Sequence, residues 1–160
     1  MNKAYLLIGG NLGERSKNLN EAIERIAREC GMITKQSSLY ETAAWGKTDQ
    51  SAFLNQALVL QTKLAPSELM KKLLVIEEKM GRQRKEKNDP RIIDIDILFF
   101  DDKILDTRLL TLPHPQVQNR RFALVPLKEI AADLVHPIFK KTISTLLKEC
   151  PDKLEVQKLK

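Results

Sequence analysis

Residues 81–102 read GRQRKEKNDPRIIDIDILFFDD, and the second half of that stretch decides the fold. Residues 92–100 are β-branched and aromatic almost throughout, the composition of a strand. Side chains alternate faces along a strand, so Asp94 and Asp96 share one face while Ile93, Ile95 and Ile97 share the other. The isoleucine face has to be buried. The two carboxylates then lie roughly 7 Å apart and repel one another at neutral pH. Hard divalent cations are natural partners for such a pair. The first half of the stretch supplies the opposite charge, with Arg82, Arg84, Lys85, Lys87 and Arg91 set against only Glu86 and Asp89. Arginine forks beside Mg²⁺-binding aspartates suit a polyphosphate. The plainer reading is a basic surface loop leading into a strand with two solvated aspartates.

Upstream of this stretch, residues 53–62 (FLNQALVLQT) form a further strand. Pro66 then opens a helix whose apolar stripe is Leu69, Leu73, Ile76 and Met80, with Gly81 as its stop. Glu77 borders that stripe close to the basic loop, either solvated or in a supporting role towards the arginines or a metal. Residues 4–9 (AYLLIG) read as a buried first strand ended by Gly9-Gly10. The next helix repeats Leu19, Ile23, Ile26 and Cys30 on one face, with Asn18 and Glu21 as an N-terminal capping pair and Gly31 as its stop. The glycines of this turn match neither GxGxxG nor a Walker loop, and Gly46-Lys47-Thr48 lacks the upstream glycine a P-loop needs. Residues 32–42 read as one polar second strand, and residues 43–52 as a loop.

Downstream, short strands are expected within residues 104–112, and Pro113-His114-Pro115 forms a rigid kink. A helix occupies the later part of residues 118–132, interrupted by Pro126. His136 has a structural role, a short helix covers residues 142–150, and a charged tail follows. The order is β-α-β-β-α-β with appended elements. That is an α+β class of ferredoxin-like, split βαβ type: an antiparallel sheet with helices packed on it and further strands and helices at the C-terminus.

Composition narrows the function classes. The 160 residues, 42% hydrophobic and 30% charged, fit a single domain spanning residues 1–160. A net charge of +6 favours an anionic partner without choosing among nucleotide, nucleic acid and membrane surface. Cys30 and Cys150 form no CxxC, which suits reduced thiols in a cytoplasmic protein. No apolar run reaches membrane length, and the N-terminus is too short in apolar residues for a signal peptide.

Pro90-Arg91-Ile92-Ile93-Asp94-Ile95-Asp96-Ile97-Leu98 resembles the signature of the 6-hydroxymethyl-7,8-dihydropterin pyrophosphokinase family of folate biosynthesis. The resemblance extends to Gly9-Gly10-Asn11-Leu12-Gly13, Thr42, Phe53-Leu54-Asn55, Leu112-Pro113-His114-Pro115 and Asn119-Arg120-Arg121-Phe122. It implies pyrophosphate transfer from ATP to the hydroxymethyl group of the reduced pterin, releasing AMP. Asp94 and Asp96 would hold two Mg²⁺ ions, and with Arg82 and Arg91 they would form the catalytic set. ATP would be bound by Arg82, Arg84, Lys85, Arg91, Ile97, His114 and Arg120, with Arg121 the alternative to its neighbour. The pterin would be bound by Thr42, Trp45, Phe53, Asn55 and Phe122, with Asp94 beside it.

A flat bicyclic ring stacks well between two aromatic faces, and one Asn amide answers a donor–acceptor edge. Ordinary core packing is the plain alternative for Phe53 and Phe122. Three departures from the family pattern stand out: Asp89 stands before the proline where the family usually has a small residue, the 81–90 loop has no aromatic residue, and position 109 is Leu109 rather than a basic residue. The implied partners are small molecules only, with no nucleic acid and no membrane, acting on a monomer. An RNA-binding module shares the element order, but FLNQALVLQT lacks the aromatic pattern such modules display. A two-metal nucleotidyltransferase or nuclease would use the aspartates yet has no use for Phe53, Asn55 and Phe122.

Overall fold

The structure is a computed structural model, and it describes residues 1–43, 51–81 and 91–159. Strand β1 (Asn2–Gly10) lies inside a six-stranded antiparallel sheet, between β4 (Phe53–Thr62) and the edge strand β5 (Asp94–Phe100). Strands β2 (Met32–Gln36) and β3 (Tyr40–Thr42) both pair with the far side of β4, and β8 (Val156–Lys158) pairs with β3. Strands β6 (Leu105–Asp106) and β7 (Thr111–Leu112) form a separate small hairpin.

Alternation along the central strands divides the apolar residues between two cores. Ala4, Leu6 and Ile8 of β1, Leu54, Leu58 and Leu60 of β4, and Ile93, Ile95 and Ile97 around β5 face helices α1 (Arg15–Glu29) and α2 (Pro66–Lys79). Tyr5, Leu7, Val59, Leu98 and Phe99 face the other way, onto α3 (Arg121–Ala131) and α4 (Ile143–Glu149). Both cores are closed, yet α3 and α4 leave part of their sheet face uncovered at the Gly9 end of β1. The functional pocket lies there.

A bulge in β5 is needed for this division. Tyr5 pairs with Phe99 but Leu6 with Ile97, so Leu98 is an extra residue in the ladder. Ahead of the bulge Asp94 and Asp96 take the α3 face. Beyond it the parity reverses, and Phe100 joins the α1/α2 core.

Four expectations are corrected. Residues 32–42 make two strands, because Ser37 interrupts them. Its backbone N–H donates to the Ala57 carbonyl at 2.9 Å, and its hydroxyl accepts from the Ala57 N–H at 2.9 Å. Asn18 and Glu21 do not cap α1, which starts earlier. The Asn18 amide donates to the Leu12 carbonyl, and Glu21 pairs with Arg25 at 3.1 Å. Pro126 does not interrupt α3: the helix runs through it, giving up one backbone hydrogen bond while the ring is buried. The charged tail is not free of structure, since it contains β8.

Candidate active site

Three adjacent strands build the floor of the pocket. In the register, Gly9 of β1 pairs with Asn55 of β4 on one side and Asp94 of β5 on the other. A Cβ on Gly9 would collide with Asn55 Oδ1, so the absent side chain is what lets the Asn55 amide lie over β1. Around this floor stand Leu7, Thr42, Ala43, Phe53, Asn55, Arg91, Asp94, Asp96, Arg120 and Phe122.

The charges sit on one side of the pocket. The Arg91 guanidinium donates to Asp94 Oδ2 at 2.7 Å, both side chains being about a fifth exposed. The same guanidinium lies 5.4 Å from the centre of the Phe53 ring, and the Arg120 guanidinium lies 5.7 Å from that of Phe122. Each pocket aromatic thus carries an arginine over its face. His114 stands alongside, held by its own turn: its Nδ1 accepts from the Gln116 N–H at 3.1 Å. Its pKa is pushed down to about 4, chiefly by burial and then by Arg120, with Asp94 opposing. It is therefore neutral at physiological pH, an uncharged donor beside the arginines.

On the other side, Asn55 is buried and faces the pocket. Thr42 is buried beside it, and among the described residues its hydroxyl is a buried polar atom with no hydrogen-bond partner. An orphaned hydroxyl lining a pocket is uncommon and marks a place for a ligand's polar atom.

The family model for 7,8-dihydro-6-hydroxymethylpterin-pyrophosphokinase (HPPK) matches residues 5–132. The chain belongs to this family. It is 41% identical over 143 residues to the 2-amino-4-hydroxy-6-hydroxymethyldihydropteridine pyrophosphokinase of Aquifex aeolicus (strain VF5), covering 89% of each chain. It is 43% identical over 147 residues to the enzyme of the same name from Synechocystis sp. (strain ATCC 27184 / PCC 6803 / Kazusa), covering 91% of this chain and 75% of that one. In fold it is similar to the crystal structure of Plasmodium falciparum HPPK-DHPS with pteroate, with a TM-score of 0.74 at 20% identity over 92% of this chain. The match takes in 42% of that longer chain.

Of the residues the pyrophosphokinase resemblance implied, the structure brings Thr42, Phe53, Asn55, Arg91, Asp94, Asp96, Arg120 and Phe122 around one pocket. Ile97 is not among them. Its side chain lies in the core on the opposite face, 2% exposed, as alternation from Asp96 requires. Arg121 sits at the start of α3, where its N–H donates to Asp152, and it does not line the pocket; of the two arginines Arg120 does. Trp45, Arg82, Arg84 and Lys85 lie outside the described residues. Glu77 is neither solvated nor marginal. It is 3% exposed and its Oε2 accepts from the Ile95 N–H at 2.7 Å, bracing β5 between the two aspartates.

Sequence reading missed two supports. Asp152, from the tail, accepts from the Arg121 N–H at 3.1 Å and from the Leu154 N–H at 3.0 Å, and so caps the helix that carries Phe122. Asn11 holds the approaches to both pocket strands. Neither carries a local signal, because each acts on a segment far away in sequence.

Proposed function

We propose that this pocket carries out the family's reaction with the residues it assembles. The chain transfers pyrophosphate from ATP to the hydroxymethyl group of 6-hydroxymethyl-7,8-dihydropterin, giving AMP and the pterin diphosphate in folate biosynthesis. One observation carries the assignment of roles: the carboxylate–arginine side and the aromatic–amide side share a single pocket. A nuclease would need the first alone, and an RNA-binding sheet has no use for the paired carboxylates.

The pterin ring lies between Phe53 and Phe122, taking the faces over which Arg91 and Arg120 now rest. Its donor–acceptor edge meets the Asn55 amide, and the Thr42 hydroxyl gains the partner it lacks. Trp45 adds to this side. The hydroxymethyl oxygen is thereby turned towards Asp94 and Asp96. It attacks the β-phosphorus of ATP; the new P–O bond forms as the bond from that phosphorus to the α,β-bridging oxygen breaks, AMP leaves with that electron pair, and the hydroxyl proton passes to water.

Asp94 and Asp96 supply oxygen donors on one strand face, which suits Mg²⁺: this ion takes one or two carboxylates and completes its shell with water and substrate phosphate. We assign two such ions to the pair. When bound, they neutralise the triphosphate and polarise the transferring group. Arg91, with Arg82, Arg84 and Lys85, clamps the phosphates, and Arg120 and neutral His114 complete that side. The chemistry needs positioning and charge compensation more than a covalent intermediate.

The strand order β5-β1-β4 followed by β2 and β3 supports reading the sheet as ferredoxin-like, with residues 1–160 as one domain. We take the protein to act as a monomer on these two small molecules in the cytoplasm, without nucleic acid or membrane. Two buried, free cysteines are in keeping with that setting. No helix among the described residues is long and apolar enough to cross a membrane.

Product analysis tests the reading. The protein is incubated with ATP, MgCl₂ and the pterin, and nucleotides and pterins are separated with mass detection. AMP with a pterin diphosphate, abolished by EDTA and restored by Mg²⁺, is expected. ADP would indicate single-phosphate transfer, and AMP without a pterin product would indicate hydrolysis or nucleotidyl transfer.

A further inference from the structure

Asn11 follows β1 directly and is 3% exposed. Its Oδ1 accepts from the Arg91 N–H at 2.9 Å, while the Arg91 carbonyl accepts from the N–H groups of Asn11 at 2.9 Å and Leu12 at 3.2 Å. Its Nδ2 donates to the Ser51 carbonyl at 3.1 Å. One side-chain amide therefore joins two segments 40 residues apart in sequence. Ser51 leads into Phe53 and Asn55; Arg91 leads into Asp94 and Asp96. An Asn amide carries its acceptor and its donor on separate atoms, and both are used here in opposite directions. Gly10 permits the close approach, since a Cβ there would meet the Ile92 carbonyl.

We propose that Asn11 is a positioning residue that couples the two halves of the site, holding the Arg91–Asp94 pair in register with the Phe53–Asn55 platform. It touches neither substrate. It acts through Arg91 on the nucleotide side and through Ser51 on the pterin side. This rests on the assignment of those two sides given above. Arg15 provides the contrast: its Nη1 donates to the Ala52 carbonyl at 2.9 Å and pairs with Glu41 at 2.8 Å, so it ties the approach to β4 to β3, both on the pterin side.

The test uses the whole chain and the variants Asn11→Ala, Asn11→Asp, Arg15→Gln, Arg91→Ala and the double variant Asn11→Ala/Arg91→Ala. Dissociation constants for the pterin and for a non-hydrolysable ATP analogue with Mg²⁺ are measured separately by calorimetry, alongside kcat and thermal midpoints. Asn11→Ala should weaken both ligands and lower kcat by about a hundredfold, the cost of a misplacement near 1 Å. Asn11→Asp, which keeps the acceptor for Arg91 and loses the donor to Ser51, should recover nucleotide affinity but not pterin affinity. Arg15→Gln should weaken the pterin alone. In the Arg91→Ala background, Asn11→Ala should cost less nucleotide affinity than in the wild type, because the guanidinium it places is gone although its main-chain bonds to residue 91 remain.

Full additivity with Arg91→Ala, or loss confined to one ligand in Asn11→Ala, overturns the coupling role. If Asn11→Ala does not fold, Asn11→Asp with both affinities unchanged, or with both equally weakened, overturns it instead. Failure of the wild type to make AMP and pterin diphosphate would reject the functional reading itself, which no variant comparison can mimic.

Discussion

Gly9 and Asn55 face each other across β1 and β4, and the space a Cβ on Gly9 would need is already filled by Asn55 Oδ1. The pocket's amide therefore depends on a residue that brings no side chain to the pocket. Gly9→Ala should push Asn55 from its place and weaken pterin binding by about tenfold or more, on the order of one or two hydrogen bonds. Affinity for the Mg²⁺–ATP analogue should change little. Calorimetric titration with each ligand checks this, and an unchanged pterin affinity would refute it.

Asp94→Asn and Asp96→Asn should each lower kcat by about 10²–10³, the usual cost of removing one group that stabilises developing charge. The fold should survive, because both side chains are half-buried at the pocket rather than in either core. Circular dichroism and turnover measured on the same samples separate the two effects. Near wild-type turnover in Asp94→Asn would remove it from the catalytic set.

His114 makes stability sensitive to acid. The unfolded chain protonates it near 6.5 and the folded chain only near about 4. Between those values the unfolded state binds more protons, so its contribution falls as the pH is lowered from about 6.5 towards 4 and levels off below. His136 is shifted in the same direction by burial, where it stacks on Phe139. Thermal midpoints from pH 7 to pH 5 should fall less steeply in His114→Gln than in the wild type. Parallel slopes would show that another group dominates.

Asp152 holds the first turn of α3 from outside the helix. Asp152→Ala should cost about 1 kcal/mol, the usual worth of an N-terminal cap, which corresponds to a lowering of the thermal midpoint by about 2–4 °C. Asp152→Asn, which keeps a carbonyl oxygen, should restore part of it. A midpoint unchanged in Asp152→Ala would mean that packing alone fixes the helix start.

Elements defined by their own periodicity were legible in the sequence. Strand β4 begins and ends where its apolar run does, at Phe53 and Thr62, and α2 follows the stripe of Leu69, Leu73 and Ile76. The pairing of Asp94 with Asp96 on one face needs nothing beyond alternation. Features settled by a distant partner were not legible. Ser37 divides β2 from β3 only because Ala57 is there to bond it, and residues 156–158 become a strand only against β3. The placing of the Ile97 side chain in the core opposite the pocket was legible too, since alternation from Asp96 is enough to send it there.

The extra residue at Leu98 constrains how this gene can drift. Substitutions on either side of the bulge are local matters, judged by size and polarity. A change of length is not, and its effect depends on where it falls: without Leu98 the ladder becomes regular and Asp94, Asp96, Phe99 and Phe100 keep their faces, whereas an insertion or a loss between Asp94 and Asp96 would set the two carboxylates on opposite faces of the sheet. The strand should therefore tolerate loss of Leu98 far better than loss of Ile95, and a deletion scan through residues 94–100 would expose that asymmetry directly.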